Sequence, residues 1–510
     1  MPISRRTFLM GASGAGVIAT LGGLSPGLGL RPVSAQETAI TPDMVRFSDD
    51  IEPIVRLIEE TPRDTCVEVL AQRVQQGLSY NHFLAALFLA GIRNVNPQPP
   101  GFKFHCVFVM HSANYLAQLS PPEERLLPLF YALDEFKSSQ QDDITKGDFV
   151  LRETQGTLPS ADKAWDEFRA AMDSWDEPRA DRAITALARG TSVDSIFDRM
   201  WAYGARDYRN IGHKAIYVAN SWRTLQTIGI QHAEPNLRSM ALGLLDFGKD
   251  EVVNAYAYSD QCFLANDELA GQTAGALPGT WADSGSDETA VLELLDALRH
   301  GQTTDACAHA ASSLASGKVQ AGTAWDAAHL MAGELMMRQP GIAGVHAVTS
   351  LNALHFGFRT AADPRTRLML LLQGLGWMGQ FRRFMDPKKD KELDLARMEP
   401  EDVDTNPANA VASILDAVSK DRPSAARQAF SYARAGGDRD LLFQGARHLV
   451  LRTTSDVHEY KWLAAVFEDA ALASPRWQPH MLAASTYYLR GSGHPDSPVI
   501  QRALEATKTA

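Results

Sequence analysis

Four histidines stand at the head of apolar, helix-patterned runs: Phe104-His105-Cys106-Val107, Gly212-His213-Lys214-Ala215, Val345-His346-Ala347-Val348 and Val457-His458-Glu459-Tyr460. Their spacings are 108, 133 and 112 residues. Neutral imidazole is a ligand suited to iron, copper, zinc and nickel, so four rings at one repeated position could form a transition-metal site if the fold turns them to a shared axis. The same rings could instead serve as hydrogen-bonding groups at helix starts in separate cores. Lys461 follows His458 by three residues and shares its helix face. An ammonium beside a metal cation is disfavoured, so this amine must lose its charge, turn to solvent, pair with Asp456 or Glu459, or be modified. Uptake of carbon dioxide would convert it into a carbamate, an anionic oxygen ligand.

The elements that must position these residues repeat with them. Before each histidine comes a helix with a small-small-charged step: Ala90-Gly91 with Arg93, Gly204-Ala205-Arg206, Ala332-Gly333-Glu334 and Gly445-Ala446-Arg447. After each comes a proline: Pro122, Pro235, Pro364 and Pro475. In the first three the turn reads Pro-x-x-Arg, ending at Arg125, Arg238 and Arg367, and opens a further apolar helix. Small residues permit close helix approach, and a proline in a first helical turn sacrifices no intrahelical hydrogen bond. The pattern predicts an all-α protein, a helical bundle or short solenoid of about four helix-pair units that bury their apolar faces against one another. Polar stretches at 137–164, 270–288 and 387–409 read as loops, the last as a solvated charge run. The middle one is a candidate divider between two halves of a domain spanning 36–510.

The remaining composition narrows the field. The 510 residues are 45% hydrophobic and 22% charged, values of a globular chain with a large core. A formal charge of −12 and the lack of a basic stripe argue against nucleic acid as a partner. Ser4-Arg5-Arg6-Thr7-Phe8-Leu9-Met10, a Gly-rich apolar stretch and Val33-Ser34-Ala35 read as a twin-arginine signal peptide over 1–35. The expectation is therefore a periplasmic or extracellular protein that meets the twin-arginine export machinery and keeps no stable membrane anchor. That route carries proteins already folded, often around a cofactor. Cys66, Cys106, Cys262 and Cys307 form no C-x-x-C pair, which argues against a thiolate cluster. Walker, G-x-S-x-G and H-E-x-x-H motifs are absent from the sequence, and no G-x-G-x-x-G opens a helix after a strand.

The four-unit helical layout, the runs Ile211-Gly212-His213-Lys214 and Asp456-Val457-His458-Glu459-Tyr460-Lys461, and the lysine on the histidine face together resemble the questin oxidase-like family. That family includes non-haem iron oxygenases of aromatic polyketide pathways. The resemblance implies iron held by His105, His213, His346, His458 and a carboxylated Lys461, and an oxygenase that uses dioxygen on a small aromatic or quinone-like substrate. Five protein ligands on a six-coordinate ion leave one position for dioxygen, so the substrate would bind beside the metal. Such a substrate must be deprotonated, and His111 and His355 are the candidate bases. Tyr115, Tyr217, Trp222 and Phe356 are candidate aromatic walls, and Asp326 and Glu334 candidate carboxylates for orienting a ligand histidine. The competing reading is an exported helical-repeat protein that binds a ligand or another protein through a scaffold with structural histidines.

Overall fold

The computed structural model describes residues 43–206, 208–246, 257–391 and 393–508. The proposed signal segment at 1–35 lies outside these residues. Among the described residues there are 22 α-helices and one isolated antiparallel bridge, Met44 with Arg152. No helix among them is long and apolar enough to cross a membrane. The all-α expectation holds.

The repeat is larger than a helix pair. A first group runs α1 (Glu52–Glu60), α2 (Cys66–Gln75), α3 (Tyr80–Asn94), α4 (His105–Gln118) and α5 (Leu127–Lys146). A second runs α6 (Ala164–Ser174), α7 (Glu177–Gly190), α8 (Val193–Ala205), α9 (His213–Ile228) and α10 (Ala233–Leu244). After α11 (Ala257–Thr273), a third contains α12 (Glu288–His300), α13 (Thr303–Ala315), α14 (Ala321–Arg338), α15 (Ile342–Thr360) and α16 (Pro364–Phe384). The fourth contains α17 (Pro407–Lys420), α18 (Arg422–Arg434), α19 (Arg439–Thr453), α20 (Val457–Leu472) and α21 (Gln478–Ser485), and α22 (Pro498–Lys508) ends the chain's described part. The histidine-headed helix is the fourth of five each time. The leading hairpin escapes a reading anchored on histidines because it is amphipathic and carries no marker residue at a shared position.

Local chemistry sets the boundaries. Ser79, Asp176, Asp287, Asp363, Asp421 and Asp456 each accept a backbone N–H at a helix start, satisfying donors that the helix leaves open. Pro364 occupies the first turn of α16, where its missing N–H costs nothing. The charged members of the small-small-charged steps include buried ties: Arg93 pairs with Glu59 at 2.7 Å and Glu52 at 2.8 Å, and Glu334 accepts from Arg299.

The first of the polar stretches read as loops changes, and the last keeps an irregular backbone. Residues 137–146 continue α5, because Lys137 is buried and donates to the carbonyls of Ile58 and Glu59 and to Gln140 Oε1. The buried network explains Lys137 and Gln140, whereas Asp142, Thr145 and Lys146 at the end of the helix face solvent. The stretch at 387–409 is mostly irregular, yet its charges are partly committed: Asp390 pairs with Arg338 and Asp394 with Arg299.

The described chain falls into two compact units. One comprises 43–197, 220–246, 257–258 and 498–508; the other comprises 198–219 and 259–497. The polar stretch at 270–288 lies inside the second unit.

Candidate metal centre

In the second unit, the starts of α9, α15 and α20 bring His213, His346 and His458 together. Their ligand atoms lie within 4.8 Å of one another, and all three side chains are buried. This buried histidine group could hold a metal ion.

Each ring is fixed from behind by its own helix start. His213 Nδ1 lies 2.7 Å from the Asn210 carbonyl, and His346 Nδ1 lies 2.7 Å from the Ile342 carbonyl. A carbonyl can only accept, so both Nδ1 atoms carry the proton and both Nε2 atoms are lone-pair donors to a metal. His458 Nδ1 lies 2.8 Å from Asp456 Oδ1, whose other oxygen accepts from Tyr488 at 2.9 Å. Burial pushes the Asp456 carboxyl up, but hydrogen bonds from the His458 ring, the His458 backbone N–H and Tyr488 prevail and hold it well below its ordinary value. Asp456 thus remains an anion that orients a ligand, as carboxylates behind metal-bound histidines do.

The Nε2 atoms of His213 and His346 are 2.9 Å apart. With both protons on Nδ1, no hydrogen is left to bridge them, and two lone pairs face each other. Protonating either ring would restore a bridge, but burial drives both rings well below the usual histidine range, with the nearby Lys461 charge acting in the same direction. A cation resolves the contact: nitrogens about 2.1 Å from an ion and at right angles to one another lie about 3.0 Å apart. The donor set fits a transition ion.

The backbone around His213 is built for this placement. Ile211 and Gly212 both adopt left-handed conformations, with φ of 47° and 85°. A β-branched residue there is strained, and such strain gathers at functional sites. A Cβ on Gly212 would stand 2.3 Å from Ser350 Cβ on α15, so only glycine lets the α9 start reach that helix.

Lys461, one turn beyond His458 on α20, is 3% exposed, so it does not reach solvent. Its charge acts on all three rings, lowering His458 as well as His213 and His346. Asp456 is engaged as described, and Glu459 is held by Arg490 at 3.2 Å and Thr454 at 2.8 Å.

His105 belongs to the first unit, where it heads α4 and is buried. Its Nδ1 lies 2.6 Å from the Phe102 carbonyl, after a turn with Gly101 at φ 115° and Phe102 at φ 46°. Its local geometry therefore matches that of His213. His111, also in that unit, is pushed well below the usual range by burial and by Arg223. Tyr115 lies beside His111, with ring centroids 6.2 Å apart, and Trp222 packs on Phe197 at 4.7 Å. In the second unit Tyr217 is fully buried, and Phe356 meets Trp201 edge-on at 6.0 Å.

His355 sits elsewhere. Nine residues past His346 on α15, it is about 13 Å along the axis and on the opposite face. Its Nδ1 is 3.0 Å from His329 Nε2, and His329 Nδ1 is 3.6 Å from Asp469 Oδ2. Asn352 donates to Asp469 Oδ1 at 2.9 Å. The sequence reading missed His329 and Asp469. The available signal was a polar residue interrupting the apolar face of α14 and of α20, three residues after Asp326 and eleven after His458. The two carboxylates expected to orient ligands do other work: Asp326 Oδ1 accepts from the Ser474 backbone N–H, and Glu334 pairs with Arg299.

No family profile, curated protein or solved structure matches the chain.

Proposed function

We propose that the protein is an exported non-haem iron oxygenase that uses dioxygen on an aromatic or quinone-like substrate. The observation that carries this reading is the 2.9 Å approach of two imidazole Nε2 atoms whose Nδ1 atoms are both committed to carbonyls. Buried neutral imidazole suits iron, and the resemblance to questin oxidase-like proteins selects iron over copper, zinc or nickel.

In this reading His213, His346 and His458 hold the ion, and Lys461 supplies an oxygen ligand as its carbamate. The carbamate forms when the Lys461 ammonium gives up a proton and the resulting amine attacks carbon dioxide, making an N–C bond and releasing a second proton. That replaces a buried positive charge beside three neutral rings with a negative one, which favours the cation electrostatically. Iron, when bound, supplies the one-electron chemistry that couples dioxygen to an electron-rich ring. Asp456 keeps His458 turned inward. Export by the twin-arginine route fits insertion of the ion before translocation.

The test is metal analysis of the full chain folded in a bacterial cytoplasm, followed by oxygen uptake with hydroquinone and hydroxyanthraquinone substrates. The expected result is about one iron per chain and substrate-dependent oxygen consumption. Metal-free protein would favour the helical scaffold with structural histidines instead. Incubation with ¹³C-bicarbonate should give a carbamate resonance that is lost in Lys461→Ala.

A further inference from the structure

The second unit contains a cavity of about 250 Å³ lined by Trp325, Asp326, His329, His355, Phe358 and Arg367, among others. It is separate from the three-histidine group, and nothing in the proposed iron chemistry uses it. Its lining is unusual in three ways.

First, Arg367 has no carboxylate partner among the described residues. Its Nε donates to the Phe358 carbonyl at 2.9 Å, and its guanidinium lies over the rings of Phe358, at 4.6 Å, and Trp281, at 5.5 Å. The arginine at the same step of the preceding repeat, Arg238, is neutralised by Asp181 at 2.7 Å. Burial lowers the Arg367 pKa with no acid to offset it. Second, the indole N–H of Trp325, a residue 3% exposed, has no acceptor among the described residues. A buried donor of this kind costs stability until an acceptor arrives. Third, the Asp469 carboxylate facing His329 Nδ1 favours the proton there. His329 Nε2 then accepts from His355 Nδ1, and His355 is left with Nε2 as an acceptor. His355 is further fixed by stacking on Trp325 at 4.2 Å and 12°. Two acids complete the lining, Asp283 at the exposed rim and Asp326, whose carboxyl burial pushes up and whose Oδ1 is tied to the Ser474 backbone. Arg359 adds a second, exposed cation.

We propose that this cavity binds a single-ring aromatic carboxylate bearing a hydroxyl group. The carboxylate meets Arg367 and the Trp325 N–H, the ring lies against Phe358 and His355, and the hydroxyl donates to His355 Nε2. An arginine fork recognises a carboxylate with directional, charge-assisted hydrogen bonds. A volume of about 250 Å³ falls below the roughly 300–1,000 Å³ of pockets that take drug-sized ligands, which limits the occupant to one ring.

The test is calorimetric titration of the full chain with 4-hydroxybenzoate, alongside benzoate, which lacks the hydroxyl, and 4-hydroxybenzyl alcohol, which lacks the charge. Saturable 1:1 binding of 4-hydroxybenzoate is expected, with benzoate about fivefold weaker and the alcohol at least tenfold weaker. Arg367→Gln should weaken binding at least tenfold, and Trp325→Phe about fivefold, with metal content unchanged in both. Should Arg367→Gln fail to fold, Trp325→Phe and the ligand series carry the test. Absence of saturable binding, or equal affinity for all three ligands, overturns the proposal. Metal content reports separately on the iron site, so the two readings can fail independently.

Discussion

Helix α15 carries two histidines in opposite situations. At its start, His346 spends Nδ1 on its own helix's carbonyl and turns Nε2 toward His213 Nε2 at 2.9 Å. Two and a half turns on, His355 uses Nδ1 to bond His329, so the nitrogens 3.0 Å apart there share a proton. Similar separations therefore mean different things. A backbone carbonyl behind the ring selects the tautomer that makes a metal ligand, whereas an imidazole backed by a carboxylate selects the tautomer that makes a proton relay.

The largest effect that could break this contrast comes from His346→Ala. It should reduce bound metal below a tenth of the wild-type content while leaving the helical circular dichroism intact, and retained metal would sink the assignment. Gly212→Ala comes next. A Cβ pressed on Ser350 and a φ of 85° should together cost about 3 kcal/mol in urea unfolding and displace His213, so metal binding weakens with stability.

Asp456→Asn keeps the shape behind His458 but removes the charge. Chelator competition should show metal affinity falling about 10- to 100-fold, as expected for loss of a partner behind a ligand. An unchanged affinity would mean that His458 is held by packing alone.

The relay end of α15 makes a pH prediction. Burial lowers His329 to about 3, so its ring stays neutral in the folded protein while the unfolded chain protonates near 6.5. The unfolded state binds the extra proton below that value, so stability is complete above pH 6.5 and declines as pH falls toward 3. At pH 5 the loss is about 2 kcal/mol from this residue. His329→Gln should flatten the urea-midpoint profile between pH 7 and 5 by about that amount. The smallest expected effect sharpens the comparison most: His355→Ala should leave metal content at the wild-type level, because that ring belongs to the other cluster.

Much of this was legible beforehand in particular residues. Gly212-His213 and Asp456-Val457-His458 marked helix starts, and Pro364 marked the turn into α16, because caps, prolines and periodicity act over a few residues. Lys137 misled, since a polar run that a sequence assigns to solvent can satisfy itself on buried carbonyls. His329 and Asp469 were invisible because their partners come from α15, far along the chain.

By itself the chain determined an all-helical fold, the repeat and the helix-start position of each histidine, since these follow from local hydrogen bonding and the spacing of apolar side chains. Only the tertiary structure decided that His213, His346 and His458 converge while His355 does not. Convergence depends on which helix packs on which and through what rotation, and that is fixed by contacts between residues more than a hundred positions apart.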